Sequence, residues 1–199
     1  MGWDGRGATG VDPLWAQLIN SDWHDHLGTG RRLDRIDDDR WLEGFLHRAG
    51  WRRRRLPGAE ARERLRALRD LLRRGVEALL AGAEPGDLDL AALNRNLGAC
   101  PAVRHLERQA DARLALVLAP VGTGIERVLG TVAASFADLL ANGDPTRIKV
   151  CANPDCRWVI LDESRNRSRR WCEEAVCGSL VKVRKHRSLK RSLGRPPAG

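Results

Sequence analysis

Four of the five cysteines fall in two pairs with identical internal spacing, Cys151/Cys156 and Cys172/Cys177, separated by fifteen residues, so the chain carries C-x4-C-x15-C-x4-C near its carboxyl end. Two short-looped pairs a hairpin's length apart supply the four ligands of a closed tetrahedral site, and thiolates are ligands that zinc accepts. The expectation is one structural zinc ion held by Cys151, Cys156, Cys172 and Cys177. The competing reading, a pair of disulfides or unrelated core thiols, suits an oxidising compartment, and no apolar secretory stretch opens the sequence. The residues between the pairs fit the metal reading. Asn153-Pro154-Asp155 is turn chemistry that would aim both sulfurs of the first pair at one point. Arg157 to Leu161 reads as a strand, Asp162 to Ser168 as a polar loop, Trp171 as an apolar plug, and Glu173 to about Leu193 as helix. Knuckle, hairpin and helix together outline a treble-clef-like finger.

Charge is divided along the chain in the same place. Residues 1–146 hold 21 Lys plus Arg against 21 Asp plus Glu, whereas residues 147–199 hold 14 against 5, so the whole formal charge of +9 lies on the finger. Clustered cations favour polyanions, because phosphate contacts release condensed counterions. The alternative is a solvated basic tail that aids solubility. Candidate contacts are Arg165, Arg167, Arg169 and Arg170 before the third cysteine, with Lys182, Arg184, Lys185, Arg187, Lys190 and Arg191 after the fourth. Helical spacing puts 184, 187 and 191 along one face, with 182 and 185 beside it. Phosphate contacts alone carry no sequence preference, and a basic zinc module does not by itself separate DNA from RNA.

The finger resembles the CGNR-type zinc finger that closes many bacterial stress-responsive transcription regulators carrying an N-terminal ABATE domain. The likeness runs through Cys151-Ala152-Asn153-Pro154-Asp155-Cys156, Asp162-Glu163-Ser164-Arg165-Asn166, Arg169-Arg170-Trp171-Cys172, Cys177-Gly178 and Lys182. It implies a regulator whose finger binds DNA while the N-terminal domain senses a ligand or stress signal. Where the family has Cys-Gly-Asn-Arg, this chain has Cys177-Gly178-Ser179-Leu180. Both cysteines are kept, so the departure bears on nucleic-acid contacts and leaves the metal alone; salt-sensitive, weakly selective binding is expected.

Ahead of the finger the pattern is helical. Trp41, Leu42, Phe45, Leu46 and Ala49 recur at helical spacing behind Asp37-Asp38-Asp39, which suits a helix N-terminus. Residues 59 to 81 form the clearest helix, with Leu65, Leu68, Leu72, Val76 and Leu79 on one stripe and arginines opposite. A shorter helix follows through Leu93, capped by Asp87, and a strong one spans Ile125 to Ala141. Ala112 to Leu118 reads as a strand whose partner is either Ile148-Lys149-Val150 or a segment near 103–107. Cys100 reads as a core thiol, and Gly122-Thr123-Gly124 as turn chemistry, since it lacks the Lys-Ser/Thr of a phosphate loop.

The fold expected is mainly α with a few short strands: a helical domain over 1–146, the four-cysteine finger over 147–193 and a disordered tail over 194–199. In the resembled domain an Asn-Thr pair sits early, and Asn20-Ser21 looks like its counterpart. With Trp23, His24 and His26 these residues form a candidate ligand pocket. A metal reading of His24, Asp25 and His26 stands beside a pocket-lining one and plain surface, and the i, i+2 spacing shares a side only on a strand. Catalytic residues are assigned to none, since no triad, acid/base carboxylate pair or cofactor fingerprint stands out. The second reading is an enzyme or biosynthetic accessory protein with an N-terminal small-molecule pocket and a purely structural finger. Expected partners are nucleic acid, a small-molecule ligand and, with oligomeric state left open, a second copy in a homodimer. No uncharged apolar run reaches membrane-spanning length, so a soluble cytoplasmic protein is expected.

Overall fold

A computed structural model describes residues 12–193, with side chains as far as Lys190. The expected disordered tail and the side chain of Arg191 lie outside the described residues. Twelve regular elements follow one another: α1 (Leu14–Ile19), β1 (Asp22–His24), β2 (Arg32–Asp34), α2 (Asp39–Arg48), α3 (Ala59–Leu80), α4 (Leu90–Gly98), β3 (Ala102–Arg108), β4 (Leu114–Pro120), α5 (Gly124–Asn142), β5 (Ile148–Val150), β6 (Val159–Leu161) and α6 (Ser179–Leu193). The strands form three separate antiparallel pairs, β1-β2, β3-β4 and β5-β6. The fold is mainly α with short strand pairs, as the sequence pattern implies. Among the described residues no helix is long and apolar enough to cross a membrane.

The chain divides into two compact units, and the division is discontinuous. Pro13–Ser21 joins Asp34–Thr146 in a helical body, whereas Asp22–Leu33 belongs with Arg147 onward. Among the described residues, Asp12 and Asp22–Leu33 lie within the body expected over 1–146 but group with the finger. The glycines and mixed charges from Gly28 to Arg40 read as a loop, and two strands of three residues are too short for a period-2 signal.

The body is built on apolar stripes. Trp15, Leu18 and Ile19 of α1, Leu42, Phe45 and Leu46 of α2, Leu65, Leu68, Leu72 and Val76 of α3, and Val128, Val132 and Phe136 of α5 are all buried. Trp15 and Phe136 meet with ring centroids 5.4 Å apart and planes tilted by 58°, a favoured aromatic geometry. Asp38 caps α2 by accepting from the N–H groups of Arg40 and Trp41. The cap of α4 is Asp89, which accepts from Ala92 N at 2.9 Å; Asp87 instead accepts from Glu84 N in the turn before it. β4 takes β3 as its partner, with Leu106 opposite Leu116 and Arg104 opposite Leu118. Ile148 to Val150 pairs with β6 instead. Cys100 is buried in the body.

The arginines of α3 do not all face water. Arg62, Arg66, Arg69 and Arg73 recur at intervals of four, three and four residues, which is one helical stripe. Arg62 donates to Ile36 O at 2.7 Å and to Asp39 at 2.6 Å. Arg66 pairs with Asp34 at 2.9 Å, with Glu63 at 2.6 Å and with Asp37. Arg69, buried, donates to Asp34 at 2.7 and 3.0 Å and to Ser21 Oγ at 3.0 Å, and Arg73 reaches Ile19 O at 3.0 Å. Buried charge of this kind persists only when paired and hydrogen-bonded.

Burial alone would raise the Asp34 pKa, but the hydrogen bonds from Arg69 and Arg66 outweigh it and hold the group at about 2. A carboxyl held below its unfolded value of 3.8 stabilises the fold above that pH, and the contribution is lost as pH falls towards 2. The size is on the order of 2 kcal/mol. Urea midpoints of the body are therefore expected to drop between pH 4 and pH 2, and Asp34→Asn should flatten that part of the profile. An unchanged slope in the variant would assign the acid sensitivity to other carboxyls.

Candidate metal centre and basic face

The finger starts as a hairpin. β5 and β6 pair with Ile148 opposite Leu161, Lys149 opposite Ile160 and Val150 opposite Val159, which brings Cys151 N to Trp158 O at 2.8 Å and closes the first knuckle. Inside that knuckle Asp155 N donates to Asn153 Oδ1 at 3.3 Å, Cys156 N donates to Asn153 O at 3.0 Å, and Arg157 takes a positive φ of 55°. The second pair is presented by a single wide, π-type turn, Glu174–Gly178, that runs into α6.

These two turns bring the four sulfurs together. Cys151, Cys156, Cys172 and Cys177 are all buried, and their Sγ atoms lie within 4.8 Å of one another. Cys156 Sγ stands 3.6 Å from Cys172 Sγ, and Cys172 Sγ stands 3.5 Å from Cys177 Sγ. Four sulfurs at about 2.3 Å from a tetrahedral zinc would be about 3.8 Å apart, so the cradle has the size the ion requires. None of the four is in a disulfide. The crowding draws Cys151 well below an ordinary thiol, chiefly because the Cys156 thiol hydrogen-bonds to it, and the same bond pushes Cys156 up. A dication replaces such shared protons, since the bound ligands are thiolates. Around the sulfurs pack Trp158 and Ile160, with Trp23, Trp171 and Val176 partly covering them. Four protein ligands would leave a bound zinc no open position, so it would supply folding energy and no Lewis-acid chemistry.

Asp162 braces the loop between the pairs. This wholly buried carboxylate accepts from Lys149 Nζ at 2.6 Å, Ser164 Oγ at 2.5 Å, Ser164 N at 3.0 Å and Arg169 N at 3.0 Å. Burial favours its neutral form, but these donors outweigh that and keep its pKa far below the ordinary range. In the sequence Asp162 reads as part of a polar loop and of the family likeness, with no bracing role assigned. Its signal was present in the Asp-x-Ser spacing, which suits a side chain that hydrogen-bonds its own backbone two residues on.

The candidate basic residues divide by environment. Arg169 is tied to its own loop, donating to Trp171 O at 3.3 Å and Cys172 O at 2.9 Å. Arg184 is tied to Asp155 at 2.6 Å and to Leu27 O at 2.6 Å. The side of α6 that holds positions 184 and 187 is thus anchored to the finger at Arg184, and the opposite arc carries Lys182, Lys185 and Lys190. Lys182, exposed, pairs with Glu174 at 2.5 Å. Arg165, Arg167, Arg170, Lys185, Arg187 and Lys190 are exposed, with the Arg170 guanidinium 5.4 Å from the Trp171 ring centroid.

The pocket candidates fall in different units. Asn20 and Ser21 are buried in the body, where Ser21 Oγ donates to Leu18 O at 2.7 Å. Trp23, His24 and His26 belong to the β1-β2 hairpin of the finger unit. His24 Nε2 lies 3.4 Å from Asp22 Oδ2, and among the described residues the four cysteines are the one metal-competent cluster.

A closed four-thiolate centre on a hairpin and helix defines a zinc-finger protein, here joined to a helical body. Residues 147–190 match the CGNR zinc finger, and residues 12–143 match ABATE, described as "putative stress-induced transcription regulator". The second match spans more than half of the chain, which therefore belongs to the ABATE family. No curated protein matches it.

Proposed function

We propose that the chain is a transcription regulator whose finger binds duplex DNA through phosphate contacts while the helical body receives a small-molecule signal. The observation that carries this is the placement of charge: the entire +9 lies from residue 147 onward, and Arg165, Arg170, Lys185, Arg187 and Lys190 are exposed on the finger. Three of the five finger acids are engaged with finger cations, Asp155 with Arg184, Asp162 with Lys149 and Glu174 with Lys182. The remaining cations make a surface suited to a polyanion. Ser179 and Leu180 stand where the family's Asn and Arg would be, so base reading is weak and backbone contact dominates. For the body, a cavity of about 190 Å³ lined by Leu71, Leu72, Gly75, Ala78, Leu93 and Phe136 supports a small apolar ligand. Thiolates reserved for zinc fit a reducing, cytoplasmic setting.

The test is fluorescence anisotropy of the full chain with a labelled 20-base-pair duplex across a salt series. Affinity should fall linearly in log–log form, and Lys185→Ala with Lys190→Ala should lower the slope by about 2 while weakening all sequences alike. Affinity indifferent to salt would reject this reading.

A further inference from the structure

The zinc site has a wall that its four ligands do not supply. The loop between β1 and β2 is shaped by its own Asp25, a buried carboxylate that accepts from Leu27 N at 3.1 Å, Thr29 N at 3.2 Å and Thr29 Oγ1 at 2.6 Å. So shaped, the loop offers two carbonyls to the finger. Asn153 Nδ2, in the first knuckle, donates to His26 O at 2.9 Å and lies 3.5 Å from Cys177 Sγ. Arg184 of α6 joins Leu27 O to Asp155, each at 2.6 Å. Gly28, at φ +78°, sits so near that a Cβ there would meet Asp155 Oδ2 at 2.8 Å. Trp23 packs against the cysteine cluster itself.

We infer that the β1-β2 hairpin is a working part of the metal centre: it docks on the zinc-loaded finger and comes free when the metal is lost. Asn153 is the positioning residue, because one amide group touches both a ligand sulfur and the docked loop. Losing a group that holds and orients a metal ligand from behind typically costs about 10- to 100-fold in metal affinity. Finger folding is coupled to the ion, so losing it also dissolves the arrangement of Asn153, Asp155 and Arg184 that grips the loop. By linkage, the hairpin strengthens zinc binding by the same factor that zinc strengthens docking. The consequence reaches past the finger, since both ends of the hairpin run directly into body residues, Ser21 and Asp34, which Arg69 holds together. Metal occupancy at 151–177 thereby sets the order of a segment that lies within the ABATE match. This holds whether or not the finger binds nucleic acid.

Two measurements on the full chain test it. Hydrogen exchange is compared between zinc-loaded and chelator-stripped protein, and amides of residues 22–33 should exchange at least about tenfold faster once stripped, with α1 and α5 unchanged. Zinc release to a competing chelator is then followed in Gly28→Val and Asn153→Ala, neither of which removes a ligand; both should hold zinc about 10- to 100-fold more weakly, with helical circular dichroism retained. Equal exchange of 22–33 in the two states would overturn the inference without any variant. Wild-type zinc retention by Gly28→Val would do so independently.

Discussion

Cys156→Ser protein is expected to emerge without stoichiometric zinc and with residues 147–190 unfolded, while the helical body stays intact. The reason is one of scale. Structural zinc contributes about 10–16 kcal/mol of apparent binding energy in small finger peptides. The apolar material of the finger otherwise amounts to Ile148, Trp158, Val159 and Ile160 with partial cover from Trp23, Trp171 and Val176, too little to order residues 147–190 alone. Removing one thiolate also opens the closed coordination that keeps the ion structural. Elemental analysis should show zinc falling well below one ion per chain, limited proteolysis should cut within the finger first, and most helical signal should persist because α1 to α5 lie outside it. A finger still protease-resistant without metal would mean that the sulfurs are merely core thiols. The same would hold for Cys151, Cys172 and Cys177.

Asp34→Ala is the second large effect, and it falls on the other unit. The substitution leaves Arg69, almost wholly buried, and Arg66, mostly buried, without the carboxylate that engages both. Breaking such a pair from one side costs about 3–5 kcal/mol, because a charge stays desolvated and uncompensated. For a body of this size that corresponds to a fall in Tm of about 10–20 °C. Zinc content should be unchanged, which separates this lesion from the cysteine variants. Replacing Asp34 together with Arg69 by apolar residues should recover part of the loss, since it removes the stranded charge as well. If the single variant melts like the wild type, the arginine stripe of α3 is surface decoration after all.

Legibility followed the range of the interaction. The four ligands could be read from spacing because a knuckle is a local object: two cysteines, a turn and a short return. The long helices α3 and α5 could be read because 22 and 19 residues carry several turns of apolar period. The β1-β2 hairpin leaves no such mark, since two strands of three residues carry no period-2 signal, and the sequence narrows the partner of β4 to two segments, of which the one near 103–107 is β3. Arg69 shows the same limit from another side. Four residues after Leu65 and three before Leu72, it sits beside the apolar stripe, and the proximity of Asp34 and Ser21 makes a buried charge there tolerable. The matching run of Asp34, Asp37 and Asp39 was the signal that could have suggested it. The basic face was half legible: composition located it on the finger, but Arg169 and Arg184 are consumed by internal carbonyls and by Asp155, which charge counting cannot see.

Residue identity and spacing alone determined the metal, its ligands, the helical character of the body and the side of the chain that carries the charge, because each is set by chemistry acting over a few residues. Only the tertiary structure decided that residues 22–33 complete the finger. That contact joins Asn153 to His26 across 127 positions through a backbone carbonyl. A main-chain oxygen is the same in every residue, and so leaves no mark in the letters of a sequence.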